Sequence, residues 1–279
     1  MSLAPGSELF AVLRDATTFS RCVFVAGLPG AGKSLLVQQA ALIAGEVGRS
    51  VHLLQWDVAR LAFDTPEILA RYPEIDGVTH AAIRIAVGRW ARTAVLAWHR
   101  AHPDPEHLLI GETPLAGERL MELARPRNDA LEPLLAGDAT LFRIPVPSRE
   151  VRRAIETARG REIAAPSHER DMASAPSHLV QRHWDELEAV ADELGIARTA
   201  PGTYDPELYA SVYRALLRHR RALVVPIARV LPVEGTVHEV PPGAREIVPS
   251  AAEVDSAIAS QLTRSDDDVA REAADWFRV

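Results

Sequence analysis

Of the 31 basic residues in this 279-residue sequence, all but one are arginine, and the exception is Lys33. It stands in Gly27-Leu28-Pro29-Gly30-Ala31-Gly32-Lys33-Ser34, a G-x-x-x-x-G-K-S segment. Glycines let a backbone curl until successive N–H groups point inward and form a concave anion site. A helix starting at the loop adds its positive end. Lysine offers a compact ammonium on a slim stem, which a planar guanidinium cannot replace inside a tight loop. That ammonium reaches the β- and γ-phosphates, and the serine hydroxyl ligates magnesium. Gly27–Ser34 is therefore read as a site for a nucleoside triphosphate, ATP with Mg2+, in which Ser34 is a metal ligand.

Two carboxylates and a set of arginines are the other candidates for chemistry. Asp57 follows a second strand pattern, and Glu112 lies at the end of a third, in Gly111-Glu112-Thr113. Ligands of open α/β sheets bind outside the carboxyl ends of the strands, where both acids fall. Asp57 is read as the general base for an acceptor hydroxyl, and Glu112 as the magnesium organiser, with the exchanged assignment left open. Arg149, Arg152 and Arg159 fall on one face of a helix opened by Ser148, and Val151, Ala154, Ile155 and Ala158 on another. Arg152 and Arg159 are the candidates for stabilising charge on a transferring phosphoryl group. Arg60, Arg84, Arg89 and Arg92 could contact an acceptor. His99, His102 and His107 do not have the helical spacing of metal ligands.

These residues need a scaffold. Arg21–Ala26 reads as a buried strand before the loop, and Leu35–Ala44 as an apolar helix after it. Further strand patterns fall at Val51–Trp56, His107–Ile110, Thr140–Ile144 and Ala222–Ile227, with helical stretches between. Such alternation predicts an α/β fold with a parallel sheet covered by helices on both faces. Pro226 suits an edge strand, or a strand that ends there. Thr65, Ser148 and Asp205 each precede an acidic first turn, and Ser250-Ala251-Ala252-Glu253 reads as a capping box.

Residues 1–231 are expected to form the main domain, with an acceptor-binding insertion over 58–106 and a polar lid or loop over 160–203. Residues 232–279 would be a C-terminal extension with one helix. The net charge of −7 disfavours a general nucleic-acid partner. A single cysteine, Cys22, excludes an internal disulfide. No apolar run approaches membrane-spanning length, and the first ten residues carry no secretory pattern, so a cytoplasmic location with no membrane partner is expected.

The arrangement resembles the P-loop kinase superfamily, through Gly27–Ser34, the acid after the second strand, the apolar third strand ending in Gly111-Glu112-Thr113, and the arginine-bearing helix after the fourth. The zeta-type toxins in that group are a distant likeness. This resemblance implies a three-layer P-loop NTPase fold with strand order 2-3-1-4-5, an acceptor segment after strand two and an arginine-rich lid after strand four. It also implies an ATP-dependent phosphotransferase acting on a hydroxyl of a small metabolite or nucleotide. A nucleotide-sugar kinase of the zeta-toxin kind and a non-enzymatic ATP-binding regulator are the alternatives.

Overall fold

The computed structural model describes residues 3–164, 177–198, 201–231 and 239–279, with backbone alone for 159–164 and 177–179. It is α/β, built on one six-stranded parallel sheet: β1 (Cys22–Ala26), β2 (Ser50–Gln55), β3 (His107–Thr113), β4 (Thr140–Pro147), β5 (Ala222–Ile227) and β6 (Arg245–Glu246). The order across the sheet is β5-β4-β1-β3-β2-β6. β1 is thus central, between β3 and β4, and all five of its residues are buried.

Alternation along the strands divides the apolar residues between two cores. Phe24, Ala26, Leu54, Leu109 and Phe142 face one side, and Val23, Val25, Leu53, Ile110 and Leu141 the other. The second side is covered by α1 (Glu8–Phe19) and α2 (Lys33–Glu46). On the first side lies α5 (Ala81–Ala101), which buries Ile83, Val87, Trp90 and Val95 along one stripe. Between β2 and α5 run the short helices α3 (Trp56–Leu61) and α4 (Pro66–Arg71). A five-residue helix, α6 (Glu132–Ala136), precedes β4.

Several sequence expectations change. β2 ends at Gln55, and Asp57 lies in the first turn of α3, because helix follows strand without a break. The polar insertion contains helices: α7 (Arg149–Ala164) runs into it and α8 (Ser177–Glu193) lies within it. Val180, Trp184, Leu187, Val190 and Ala191 recur at helical spacing and enter the core, so the segment carries an apolar face that its average polarity conceals. α9 (Pro206–Leu216) follows, capped by Asp205.

The C-terminal segment holds two helices where one was expected, α10 (Ala251–Leu262) and α11 (Asp266–Ala274). Ser265 caps α11 and accepts from Asp268 N, so the three aspartates form a first turn instead of a loose tail. Negative charge is stabilising at that end of a helix. β6 adds to β2, pairing His52 with Arg245, and both C-terminal helices pack on α5. Among the described residues, no helix is long and apolar enough to cross a membrane.

Candidate functional site

The glycine-rich segment connects β1 to α2 at the carboxyl end of the sheet. Gly27 N donates to Thr113 O at 3.3 Å, tying the loop to the end of β3. Gly30 and Gly32 have φ of 77° and 82°, a region that side chains enter only with strain. Gly27 is needed for a different reason, since a Cβ there would stand 2.4 Å from the Tyr209 hydroxyl. That hydroxyl accepts from Leu28 N at 3.2 Å, so α9 braces the loop from below.

Lys33 opens α2 and is almost wholly buried. Its Nζ donates to Leu28 O at 3.1 Å and lies 3.5 Å from Glu112 Oε1. Glu112 pairs in register with Val25 on one side and Gln55 on the other, which places it at the carboxyl end of the sheet. Arg152 reaches the loop from α7. Its Nη1 donates to Pro29 O at 2.7 Å and its Nε to Glu156 Oε1 at 2.6 Å, while the guanidinium carbon stands 5.3 Å from the Tyr204 ring centroid. The structure thus gathers Lys33, Glu112, Arg152 and the segment Gly27–Ser34 in one place. Ser34 is half-buried in the first turn of α2.

The remaining candidates separate. Asp57 is exposed, and its charge acts on Arg119. The side chain of Arg159 lies outside the described residues; its backbone is two turns beyond Arg152 along α7. Arg60 pairs with Asp64 and Glu74, and Arg89 with Glu272. Arg92 joins a structural network, bonding Asp129, Glu132 and the Glu122 carbonyl. Arg84, also on α5, donates to Gly117 O in the loop after β3.

That loop is irregular. Between β3 and Leu123 the backbone turns left-handed at Leu115 (φ 63°), Gly117 (φ 64°), Glu118 (φ 70°) and Leu120 (φ 60°). Left-handed non-glycine residues cost roughly 1–3 kcal/mol each and persist where surroundings over-determine them. Here they do. Leu115 and Leu120 are fully buried, and Tyr213 Oη donates to Pro114 O at 2.8 Å. Arg125 clamps Glu118 with two hydrogen bonds of 2.6 Å. Two single 3-10 turns, Ala116–Glu118 and Met121–Leu123, complete this fold-back, which puts Leu115, Leu120 and Leu123 in the core.

The strained loop directs two guanidiniums together. A Cβ at Gly117 would lie 2.8 Å from both Arg84 Nη1 and Arg119 Nη1, and 3.8 Å from Glu186 Oε2. Arg84 donates to Gly117 O, and its Nε is buried without a hydrogen-bond partner. Burial, with Arg84 beside it, brings the Arg119 guanidinium down to about 10, despite Glu186 and Asp57. Two adjacent guanidiniums held back from water favour an anion.

From α8, His183 Nδ1 lies 3.1 Å from Glu186 Oε2. Burial holds His183 below the usual imidazole range, against the pull of Glu186, with the charges of Arg119 and Lys33 acting in the same direction as burial. Although burial opposes ionisation of Glu186, its hydrogen bond to His183 and the neighbouring arginines keep it in the carboxylate form. A neutral imidazole oriented by a carboxylate is an arrangement suited to accept a proton. Arg119, His183 and Glu186 escaped sequence reading because their segments carry no motif, and burial alone distinguishes them from solvated charges. Between α7 and α8 lies a cavity of about 370 Å³ lined by Arg149, Arg152, Arg153, Trp184, Thr203 and Tyr204.

No protein-family model matches the chain, and no curated protein matches it in sequence.

Proposed function

We propose that this protein is an ATP-dependent phosphotransferase with a P-loop NTPase fold, acting on a hydroxyl of a small anionic acceptor. The observation that carries the reading is the convergence on one glycine-rich loop of Lys33, of Glu112 from the neighbouring strand and of Arg152 from α7. The strand–loop–helix unit of β1 and α2 supports it. So does the order β2-β3-β1-β4-β5, with β6 outside it, which is the kinase-type order 2-3-1-4-5.

Phosphoryl transfer asks a protein mainly for positioning and charge stabilisation. Lys33 would hold the β- and γ-phosphates, with the N–H groups of Gly27–Ser34 around them. The Ser34 hydroxyl and the Glu112 carboxylate are hard oxygen donors of the kind Mg2+ takes, and they would hold it. Bound there, the metal would supply neutralisation of phosphate charge. Arg152, already at the loop through Pro29, would stabilise charge on the γ-phosphoryl oxygens. Arg84 and Arg119 would hold an anionic group of the acceptor. His183 through Glu186, or Asp57, would take the hydroxyl proton.

The test is turnover. Purified protein with Mg2+ and ATP is offered pools of phosphorylated and carboxylated hydroxy compounds, and ADP formation is followed. Acceptor-dependent ADP release that disappears in Lys33→Ala supports the reading. Tight ATP binding with no transfer to any acceptor would favour a nucleotide-gated regulator instead.

A further inference from the structure

At the opposite end of the sheet, three histidines from three elements come together. His52 lies on β2, His107 opens β3, and His102 is the residue that ends α5. Ser50 pairs with His107, so His52 is its diagonal neighbour on the same face. One ring nitrogen from each lies within 4.8 Å of the other two. His52 Nε2 and His107 Nδ1 are 3.2 Å apart. Ring centroids are 4.4 Å apart for His52 and His102, and 4.6 Å for His102 and His107.

We propose that His52, His102 and His107 form a binding site for a divalent transition ion of the zinc type. At a metal–nitrogen distance of about 2.0–2.1 Å, two ligands of a tetrahedral ion stand about 3.3 Å apart. The His52–His107 pair already has that spacing. His102 Nδ1 lies 3.0 Å from Trp98 O, the contact that fixes a ligating imidazole from behind and leaves Nε2 for the ion. Trp98 is itself held, with the Arg21 guanidinium 4.6 Å from its ring centroid, and Arg21 Nη1 donates to His107 O at 2.7 Å. A hydrogen bond at 3.2 Å between His52 Nε2 and His107 Nδ1 requires one of the two nitrogens to carry a hydrogen. When the ion takes its place, that hydrogen moves to a far ring nitrogen, which on His107 is Nε2, 3.8 Å from the Glu106 carboxylate.

Charge narrows the choice of ion. Arg21 and Arg245 act on His52, so attraction comes from imidazole donation and not from net negative charge. Mg2+ and Ca2+, which take oxygen ligands, are unsuited, whereas Zn2+, Ni2+, Cu2+ and Co2+ suit imidazole. Three protein ligands leave a fourth position for water or an anion. The site would clasp β2, β3 and the end of α5, and so act on stability and not on phosphoryl transfer.

The experiment uses the full untagged chain, treated with chelator and titrated with Co2+ and then Zn2+. The expected result is one equivalent of Co2+ with the intense visible bands of tetrahedral cobalt, displaced by Zn2+. Zn2+ at about 100 times its dissociation constant should raise the melting temperature by several degrees. His102→Ala and His107→Ala should each weaken Co2+ binding by tenfold or more. His102 is half-buried at a helix end, so its variant keeps a folded chain to measure if His107→Ala does not. Failure of the wild type to take up stoichiometric Co2+, or equal uptake by wild type and His102→Ala, overturns the proposal.

Discussion

Lys33 Nζ lies 3.5 Å from Glu112 Oε1, an ammonium on the central loop facing a carboxylate on the next strand. Both side chains are nearly buried, and the lysine also donates to Leu28 O at 3.1 Å. A nucleotide phosphate would compete for the lysine and release the carboxylate to the metal. MgATP at about 100 times its dissociation constant should add roughly 2.7 kcal/mol of stability, or several degrees of melting temperature for a chain of this size. Lys33→Ala should abolish most of that rise. Glu112→Gln should keep ATP binding but weaken its dependence on Mg2+, as read by nucleotide titration with and without the metal.

The loop geometry gives a second, reversible test. A Cβ at Gly27 would meet the Tyr209 hydroxyl at 2.4 Å, so Gly27→Ala must push the loop or α9 aside. ATP affinity should fall by tenfold or more. Tyr209→Phe removes the obstructing oxygen at the cost of the hydrogen bond from Leu28 N, a cost of about 1 kcal/mol. The double variant should therefore bind ATP better than Gly27→Ala alone, which isothermal titration would read.

Arg152 separates binding from chemistry. Its guanidinium is tied to Pro29 O and Glu156, and it stands over the Tyr204 ring. Arg152→Ala should lower turnover by about 10²–10³-fold, the usual scale for losing one preorganised donor. ATP affinity should change far less. An equal loss in both would mean that Arg152 braces the loop and does not stabilise transferring charge.

Two groups compete for the role of base. Asp57 is exposed on α3, whereas His183 is buried and anchored by Glu186. General bases contribute about 10²–10⁴-fold. If His183 is the base, His183→Gln loses turnover on that scale while Asp57→Asn stays within a few-fold of wild type. The reverse pattern assigns the proton to Asp57.

The same pair sets a direction for stability with pH. His183 is held neutral by burial, so its folded pKa lies below the unfolded value of about 6.5. The unfolded chain then binds more protons below that pH, and stability falls as the solution is acidified from about 6.5. Glu186, depressed in the folded state, adds stability that is lost further down, below the unfolded carboxylate range. His183→Gln should flatten the upper part of that loss in denaturant titrations between about pH 6.5 and 5.

Local chemistry was legible in the sequence. The Gly27–Ser34 segment, the apolar strand before it, and the caps at Thr65, Ser148, Asp205 and Ser250 each depend on neighbours a few residues away. Glycine spacing, side-chain capping and apolar alternation are local rules, and a sequence displays them directly. Lys33, Glu112 and Arg152 could be singled out because motif, strand end and helix face marked them.

Tertiary structure decided the rest, because burial and charge compensation are properties of the assembled chain. The left-handed turn at 115–120 exists because Tyr213, Arg125 and a leucine-lined core hold it, from up to a hundred residues away. Only that turn puts Arg119 against Arg84, and only the apolar stripe of α8 puts His183 and Glu186 beside them. His52 and His107 are 55 positions apart and become neighbours through strand register. Spacing along a chain reports which groups share a helix or a strand, while proximity across a sheet requires the pairing that folding supplies.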